Sequence, residues 1–575
     1  MCIQESALKY RTLFRSAVLA TACVIFSSGA MAQTLQSIPF RANLSTANEV
    51  PPLDLAATGS ATVWIHAVRN SSGVVTEAVV DFIVDYSFPG PITITGLHVH
   101  RGIRGQNGPV VLSSGVGSGE AEDSTGKAGI TRQSAKLDSA AAISAINDMI
   151  ADPSNFYVNL HTTVNPGGVI RGQALATTAT TVLTQLSPAN EVPAIEGSTA
   201  SGFAAVTTLV GRDIAGVVTS AEATFDVQYT GFPADTQFTG LHVHTGGAGV
   251  NGPVTINSSL SGAVPAAGSG SGSLRLINRM SAPNAATIAA LAGLETNPGG
   301  FYINLHTRVN PGGVIRGQAV AVDASQFGVN GSSNNEVPPV DGLNATGTAN
   351  FILRPLRSTD GVPLAALATF DVYHRFPAGV TVTGLHVHSG VLGQNAPVVI
   401  NSGISANDSP VSATGLGNVY RTALITNGAV LAAALQNPAG HYLNLHTTDN
   451  PGGAIRSQLV PATTALPVID RVEAVAGGGT VRSDGLIRIV GSNLAASTAS
   501  SSNAAGIAVP SLVGTTVKVG GQEALIRTVT PTAVVVQIPR NVGLGIMPVA
   551  TFPVIVTTAN GSSNVANLVL TVSGN

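Results

Sequence analysis

Cysteine is almost missing from this chain. Its 575 residues include two, Cys2 and Cys23, and both fall in the N-terminal segment read below as a removable leader. Beyond that segment neither disulfides nor thiolate metal ligands are available. Charge is scarce too, at 10% of residues with a net of −3, and no basic run occurs, which argues against a nucleic-acid partner. Aromatics make up 4%, too few for a broad sugar- or base-stacking surface. Past the leader no apolar run approaches the ~18 residues of a membrane-spanning helix. No Ser-His-Asp order, nucleophile elbow, phosphate loop or paired-carboxylate motif stands in a recognisable context.

What is present is small and β-favouring. There are 65 glycines, and Ala, Val, Ser and Thr dominate the rest. The first 32 residues read as a secretory signal: Lys9, Arg11 and Arg15 precede the apolar run Ala17 to Phe26, and Ala30-Met31-Ala32 gives a small-x-small cleavage pattern. An uncleaved anchor is the alternative. Cleavage would leave 24 basic against 29 acidic residues, as suits an exported protein of the periplasm, cell surface or medium.

The rest is organised by a repeat. Gly96-Leu97-His98-Val99-His100 returns as Gly240 to His244 and Gly384 to His388, a spacing of 144 residues each time. Each copy opens on Asn-Glu-Val-Pro (Glu49, Glu191, Glu336) and closes on Asn-Pro-Gly-Gly followed three residues later by Arg171, Arg316 or Arg456. A period this long marks tandem domains, each large enough for its own core, rather than a solenoid of ~20–50-residue units. The expected divisions are 33–180, 181–324, 325–463 and a tail domain, 464–575. Inside a repeat, segments such as Ala61 to Ile65 and Ala223 to Tyr229 alternate apolar with polar, the period of a half-buried strand. One short helix per repeat is expected at Ala140 to Ile150, Asn284 to Leu294 and Gly428 to Leu435, each followed by an Asn/Asp-Pro turn. The fold class is therefore all-β: tandem antiparallel sandwiches of Greek-key type, each of the first three with one inserted helix.

Nine of the twelve histidines occupy the repeated motifs. Positions i and i+2 of a strand share a face, so His98 and His100 point together while Leu97 and Val99 point into the core. A third histidine follows on Asn-Leu-His-Thr, at His161, His306 and His446. Three neutral imidazoles suit copper, zinc or nickel, and the residues alone do not choose among them. A structural reading stands beside this one, since buried imidazoles also satisfy backbone groups. The glutamates read as part of an interaction surface, as partners of a histidine, or as ties of the first strand. The arginines read as ties of a turn or as anion-attracting groups. His66, His374 and His441 are unrepeated and expected to be exposed or locally packed.

The string Gly-Leu-His-Val-His…Asn-Leu-His-Thr…Asn-Pro-Gly-Gly-Val-Ile-Arg-Gly-Gln resembles the CHRD domain, over residues 36 to 460. The same segments are distantly similar to copper/zinc superoxide dismutase. That resemblance implies copper on His98, His100 and His161, on His242, His244 and His306, and on His386, His388 and His446, with Arg171, Arg316 and Arg456 as anion guides. The chain lacks that family's bridging histidine, zinc ligands and disulfide, so a copper-only dismutase is the enzyme alternative to a non-enzymatic binding or surface protein. The third copy departs from the pattern at Asn395-Ala396 and Ser457. The tail, with strands expected around Ile469, Ile487, Val517, Val535 and Val556, resembles an IPT/TIG immunoglobulin-like module, which implies adhesion to an unknown protein or surface ligand. Ala495 to Ala505 reads as a flexible loop.

Overall fold

Apolar side chains at every second position of Thr34–Ser45 (β1), Ile38, Phe40, Ala42 and Leu44, fix that strand's inner face, and all four lie in the core of the first sandwich. The computed structural model describes residues 33–571 with interruptions at 71–73, 118–120, 128, 135–136, 407–413, 462–466, 476–480, 482–483, 496–498, 501–510, 513–514, 531, 541, 543–548, 559–560 and 564–565. The leader, the Pro461–Thr464 linker beyond its first residue, and most of the 495–505 loop lie outside the described residues.

The first repeat is two antiparallel sheets. A long-stranded sheet carries β1, Thr58–Arg69 (β2), Val75–Ser87 (β3) and, further along the chain, Gly129–Gln133 at its edge. A short-stranded sheet carries Ile92–Arg101 (β4), Val110–Ser113 (β5), Phe156–Thr162 (β6) and Ile170–Gln173 (β7). The sheets touch at one corner, where Ser45 pairs with Arg171. The helix Ala140–Ala151 is capped by Ser139, whose Oγ accepts from the Ala142 amide. The helices at Ala285–Thr296 and Gly428–Gln436 are capped likewise by Asn284 and Asn427. The other two repeats reproduce both sheets. No linker separates the first two, because the strand Leu175–Leu186 runs through residue 180, pairing with β1 at its start and with Ser201–Arg212 along its length.

The half-buried alternation expected for the long sheets is not what the fold shows. Along β2 the inner face is Ala61, Val63, Ile65 and Ala67, but Thr62, His66 and Val68 on the other face are buried as well. The three long sheets turn these second faces towards one another, so each repeat covers its neighbours. Leu183, Ala205, Leu356, Leu367 and Leu424 seal repeats 2 and 3. Polar networks join the other pairs. Arg41 of the first repeat reaches Glu222 of the second at 3.1 Å. Ser37 Oγ sits 2.5 Å from His66 Nδ1 and donates to Asp371 Oδ2 of the third repeat at 2.6 Å, while His66 Nε2 lies 3.1 Å from Asp81 Oδ2.

His66 is thus fully buried between carboxylates of two repeats, not an exposed histidine. Burial alone would lower its pKa, but Asp81 and Asp371 outweigh that and raise it. A raised folded-state pKa contributes stability that is complete below the unfolded value of ~6.5 and is lost as pH rises through the folded value. His66→Asn is therefore expected to lower stability by about 2 kcal/mol at pH 6, where two carboxylates lose a charged partner. The gap should narrow at pH 9. Denaturant midpoints at the two values check this, and a gap that widens with pH would contradict it. His374 and His441 are also buried, each with Nδ1 against a backbone carbonyl, of Gly415 and Asn437.

The tail is a separate two-sheet sandwich packed around residues such as Ile487, Val517, Val534 and Val554. It docks on the repeats: Arg471 donates to Thr177 O at 2.8 Å, and Arg488 pairs with Glu295. Among the described residues no helix is long and apolar enough to cross a membrane.

Candidate metal centre

Leu97 and Val99 of β4 are completely buried in the core, so His98 and His100 stand on the outer face of the short sheet. The β4–β6 register places His161 opposite Gly96, Asn159 opposite His98 and Tyr157 opposite His100. Because i and i+2 share a face, Tyr157, Asn159 and His161 join the two histidines there. Gly96 has no side chain, and the His98 ring uses that space. A Cβ at Gly96 would lie 2.7 Å from His98 Cε1, and Gly240 and Gly384 are equally close to His242 and His386, at 2.6 and 2.8 Å. The ring therefore folds over the glycine towards His161, with centroids 4.9 Å apart. This glycine stands in every copy of the sequence motif, but repetition alone did not say what it was for.

Two loops fix the other rings. His100 Nδ1 lies 2.9 Å from Gly108 O, and His161 Nδ1 lies 3.1 Å from Pro166 O. A carbonyl only accepts, so each Nδ1 carries the hydrogen and each neutral ring presents a bare lone pair at Nε2. Those two Nε2 atoms face each other at 3.4 Å. The second and third repeats hold the same arrangement, with Nδ1 contacts of 2.9 and 2.9 Å to Gly252 and Pro311 and of 2.8 and 3.0 Å to Ala396 and Pro451. There the Nε2 atoms of His244, His306, His388 and His446 are buried without a partner, as is Nδ1 of His98, His242 and His386. The change to Ala396 leaves the third site intact because the residue contributes its carbonyl, not a side chain.

Burial first, then the neighbouring imidazoles, push His98, His242 and His386 down to about 4. Burial lowers the other six as well. All nine are neutral at pH 7, the form a metal needs. In each repeat one nitrogen from each histidine lies within 4.8 Å of the others. Two nitrogens 3.4 Å apart on bonds of ~2.0–2.1 Å subtend about 110° at one ion, between tetrahedral and trigonal. Two such bonds span at most ~4.2 Å, so the widest pair closes by under ~1 Å. The donor set fits a single ion of the imidazole-binding class.

The arginines sit behind these rings. Arg171 is 2% exposed, donates to Asn107 Oδ1 and Gln106 O at 2.9 and 2.8 Å, and lies 3.9 Å over the Tyr157 ring, which in turn stacks on His100. Arg316 and Arg456 do the same on Tyr302 and Tyr442. Both terminal nitrogens clasp the loop that presents Gly108 O, not the Pro-Gly-Gly turn that precedes the arginine in sequence. Glu49, Glu191 and Glu336 are buried too and form no open surface. Asn304 and Asn444 donate to the second and third glutamates at 3.4 Å, and Asn159 bonds the first.

The model of the CHRD domain matches residues 40–174, 182–319 and 327–459. Among curated proteins no match is found. Of solved structures, a gamma-CGTase from alkalophilic Bacillus clarkii aligns at 14% identity and a TM-score of 0.14, over 39% of this chain and 24% of that one. The chain thus spans about a quarter of that structure's length. Each matched segment encloses one histidine trio, and together they make up most of the sequence, so this chain belongs to the CHRD domain family as three tandem copies.

Proposed function

We propose that this is an exported binding or surface protein whose three CHRD repeats each hold one copper ion on three histidines. One observation carries the reading. His100 and His161 are each fixed by a carbonyl in the tautomer that aims its lone pair at the other, across 3.4 Å. Two lone pairs so placed repel unless a cation lies between them, and in the other two repeats the same carbonyl contacts recur around trios whose nitrogens lie within 4.8 Å of one another. The all-imidazole donor set suits copper, zinc or nickel, and the likeness to the copper strand of the dismutase sandwich favours copper among them. Support for dismutase chemistry goes no further than that likeness, because the buried guanidinium groups offer an anion no open contact. Export rests on the leader, and adhesion on the immunoglobulin-like reading of the tail.

Metal analysis of the mature chain after copper loading and desalting tests the central claim. Three copper ions per chain are expected, falling to two in His98→Ala/His100→Ala. A ratio near zero, unchanged by those substitutions, would leave the histidines a structural role only.

A further inference from the structure

The glutamate that opens each repeat lies beside the metal centre without touching it. Asn159, its hydrogen-bond partner, stands directly across the strand pair from His98 and two residues before His161 on the same face. One side chain therefore separates the carboxyl from the imidazole cluster. The carboxyl is short of partners. Oε1 of Glu49, Glu191 and Glu336 is buried with no hydrogen bond, although all three residues are more than nine-tenths buried. Arg171 does not neutralise it by direct pairing, since both of its terminal nitrogens are spent on neutral acceptors, Asn107 Oδ1 and Gln106 O. Burial consequently pushes the carboxyl up to about 7, against the opposing pull of Arg171 and Asn159. The pattern holds in the other two repeats, with Arg316 and Arg456 in the same place.

A buried carboxylate that its surroundings do not balance is completed by a cation nearby. The imidazole site contributes no negative charge of its own, and a buried guanidinium lies behind it. We propose that Glu49, Glu191 and Glu336 set the charge of the three metal centres and thereby the preference of each for a divalent over a monovalent ion. This rests on the metal reading above. The interaction of a fixed charge with an ion scales with the ion's charge. Removing the carboxylate charge must therefore cost a divalent ion the square of the factor it costs a monovalent one. A merely structural glutamate would cost both the same factor.

The test replaces all three residues, as Glu49→Gln/Glu191→Gln/Glu336→Gln, which keeps an acceptor for the asparagine. Cu(I) and Zn(II) affinities are measured separately at pH 8 against competing chelators. A loss of about tenfold for Cu(I) with about a hundredfold for Zn(II) is expected. Equal losses, or a larger loss for Cu(I), overturn the proposal. The triple Glu→Asp variant retains the charge, so its Zn(II)-to-Cu(I) affinity ratio should stay within about threefold of wild type even if both affinities fall; a ratio shifted as far as in the Gln variant also overturns it. Wild-type protein that binds neither ion would overturn the metal reading itself, and this one with it.

Discussion

Gly240→Ala is expected to abolish copper binding at the second candidate metal site while its sandwich stays folded. Gly240 lies in the extended strand Gln237–Thr245 and is not among the residues with positive φ, so alanine fits the backbone there. The conflict is with the ring: the new Cβ would sit 2.6 Å from His242 Cε1 and 3.3 Å from Nε2. Carbon atoms settle at ~3.5–4.0 Å, so something must give by about 1 Å. The ring turns freely about two bonds and the strand does not, so the ring moves. Displacement on that scale takes one of three nitrogens out of bonding range of a shared ion, where bonds of ~2.0–2.1 Å leave little slack. Affinity at that site should fall at least about a hundredfold, with copper dropping from three to two per chain. The unfolding free energy should change by no more than the ~0.5–1 kcal/mol of a tolerated substitution. A variant that still holds three ions with unchanged affinity would show that His242 does not bind from over Gly240. Gly96 and Gly384 should behave alike, because their rings are equally close.

Glu222→Ala should be among the most damaging substitutions for stability. Its carboxylate receives Arg41 Nη1 at 3.1 Å and Arg279 Nε at 2.9 Å, and it joins the first repeat to the second. Arg41 is completely buried, and burial pulls its pKa down to about 10 even with Glu222 present. Ser60, Thr62 and Ser220 supply further acceptors, but none of them is charged. Removing the carboxylate leaves an uncompensated guanidinium in the interior, which costs about 3–5 kcal/mol. That is a large share of the ~5–15 kcal/mol typical of a folded domain. Urea unfolding checks it. The double variant Arg41→Met/Glu222→Leu should recover most of the loss, because removing both charges leaves neither buried alone. A single variant within ~1 kcal/mol of wild type would mean that water reaches this interface.

Much of the candidate metal centre was legible because it is repeated. Three copies of Gly-Leu-His-Val-His with a later Asn-Leu-His give the strand period, the shared face of the paired histidines and the buried Leu and Val between them. The helices were legible from their place just ahead of an Asn/Asp-Pro turn, while their caps, Ser139, Asn284 and Asn427, emerge from the fold. The tautomers were not legible, since they depend on carbonyls of Gly108 and Pro166 that arrive from two separate loops. The arginines carry two sequence readings for a similar reason. Arg171 follows the Pro-Gly-Gly turn in sequence, yet what it ties is the loop of Gln106 and Asn107, more than sixty residues earlier in the chain.

The all-β class, the threefold tandem order and the grouping of nine histidines into three trios can be read along the chain. All of these rest on local period and on repetition. How the repeats meet is a property of the assembled fold. Arg41, His66 and Glu222 lie at that junction as residues of single copies; Leu183 and Gly328, for example, take the place of Arg41 eight residues before the repeated glutamate. Three similar sheets packed face to face cover one another with unlike surfaces, so each residue needs a partner and not a copy. A pattern read along the chain registers copies, whereas burial of a second sheet face and the pairing of its charges exist only once the three repeats have come together.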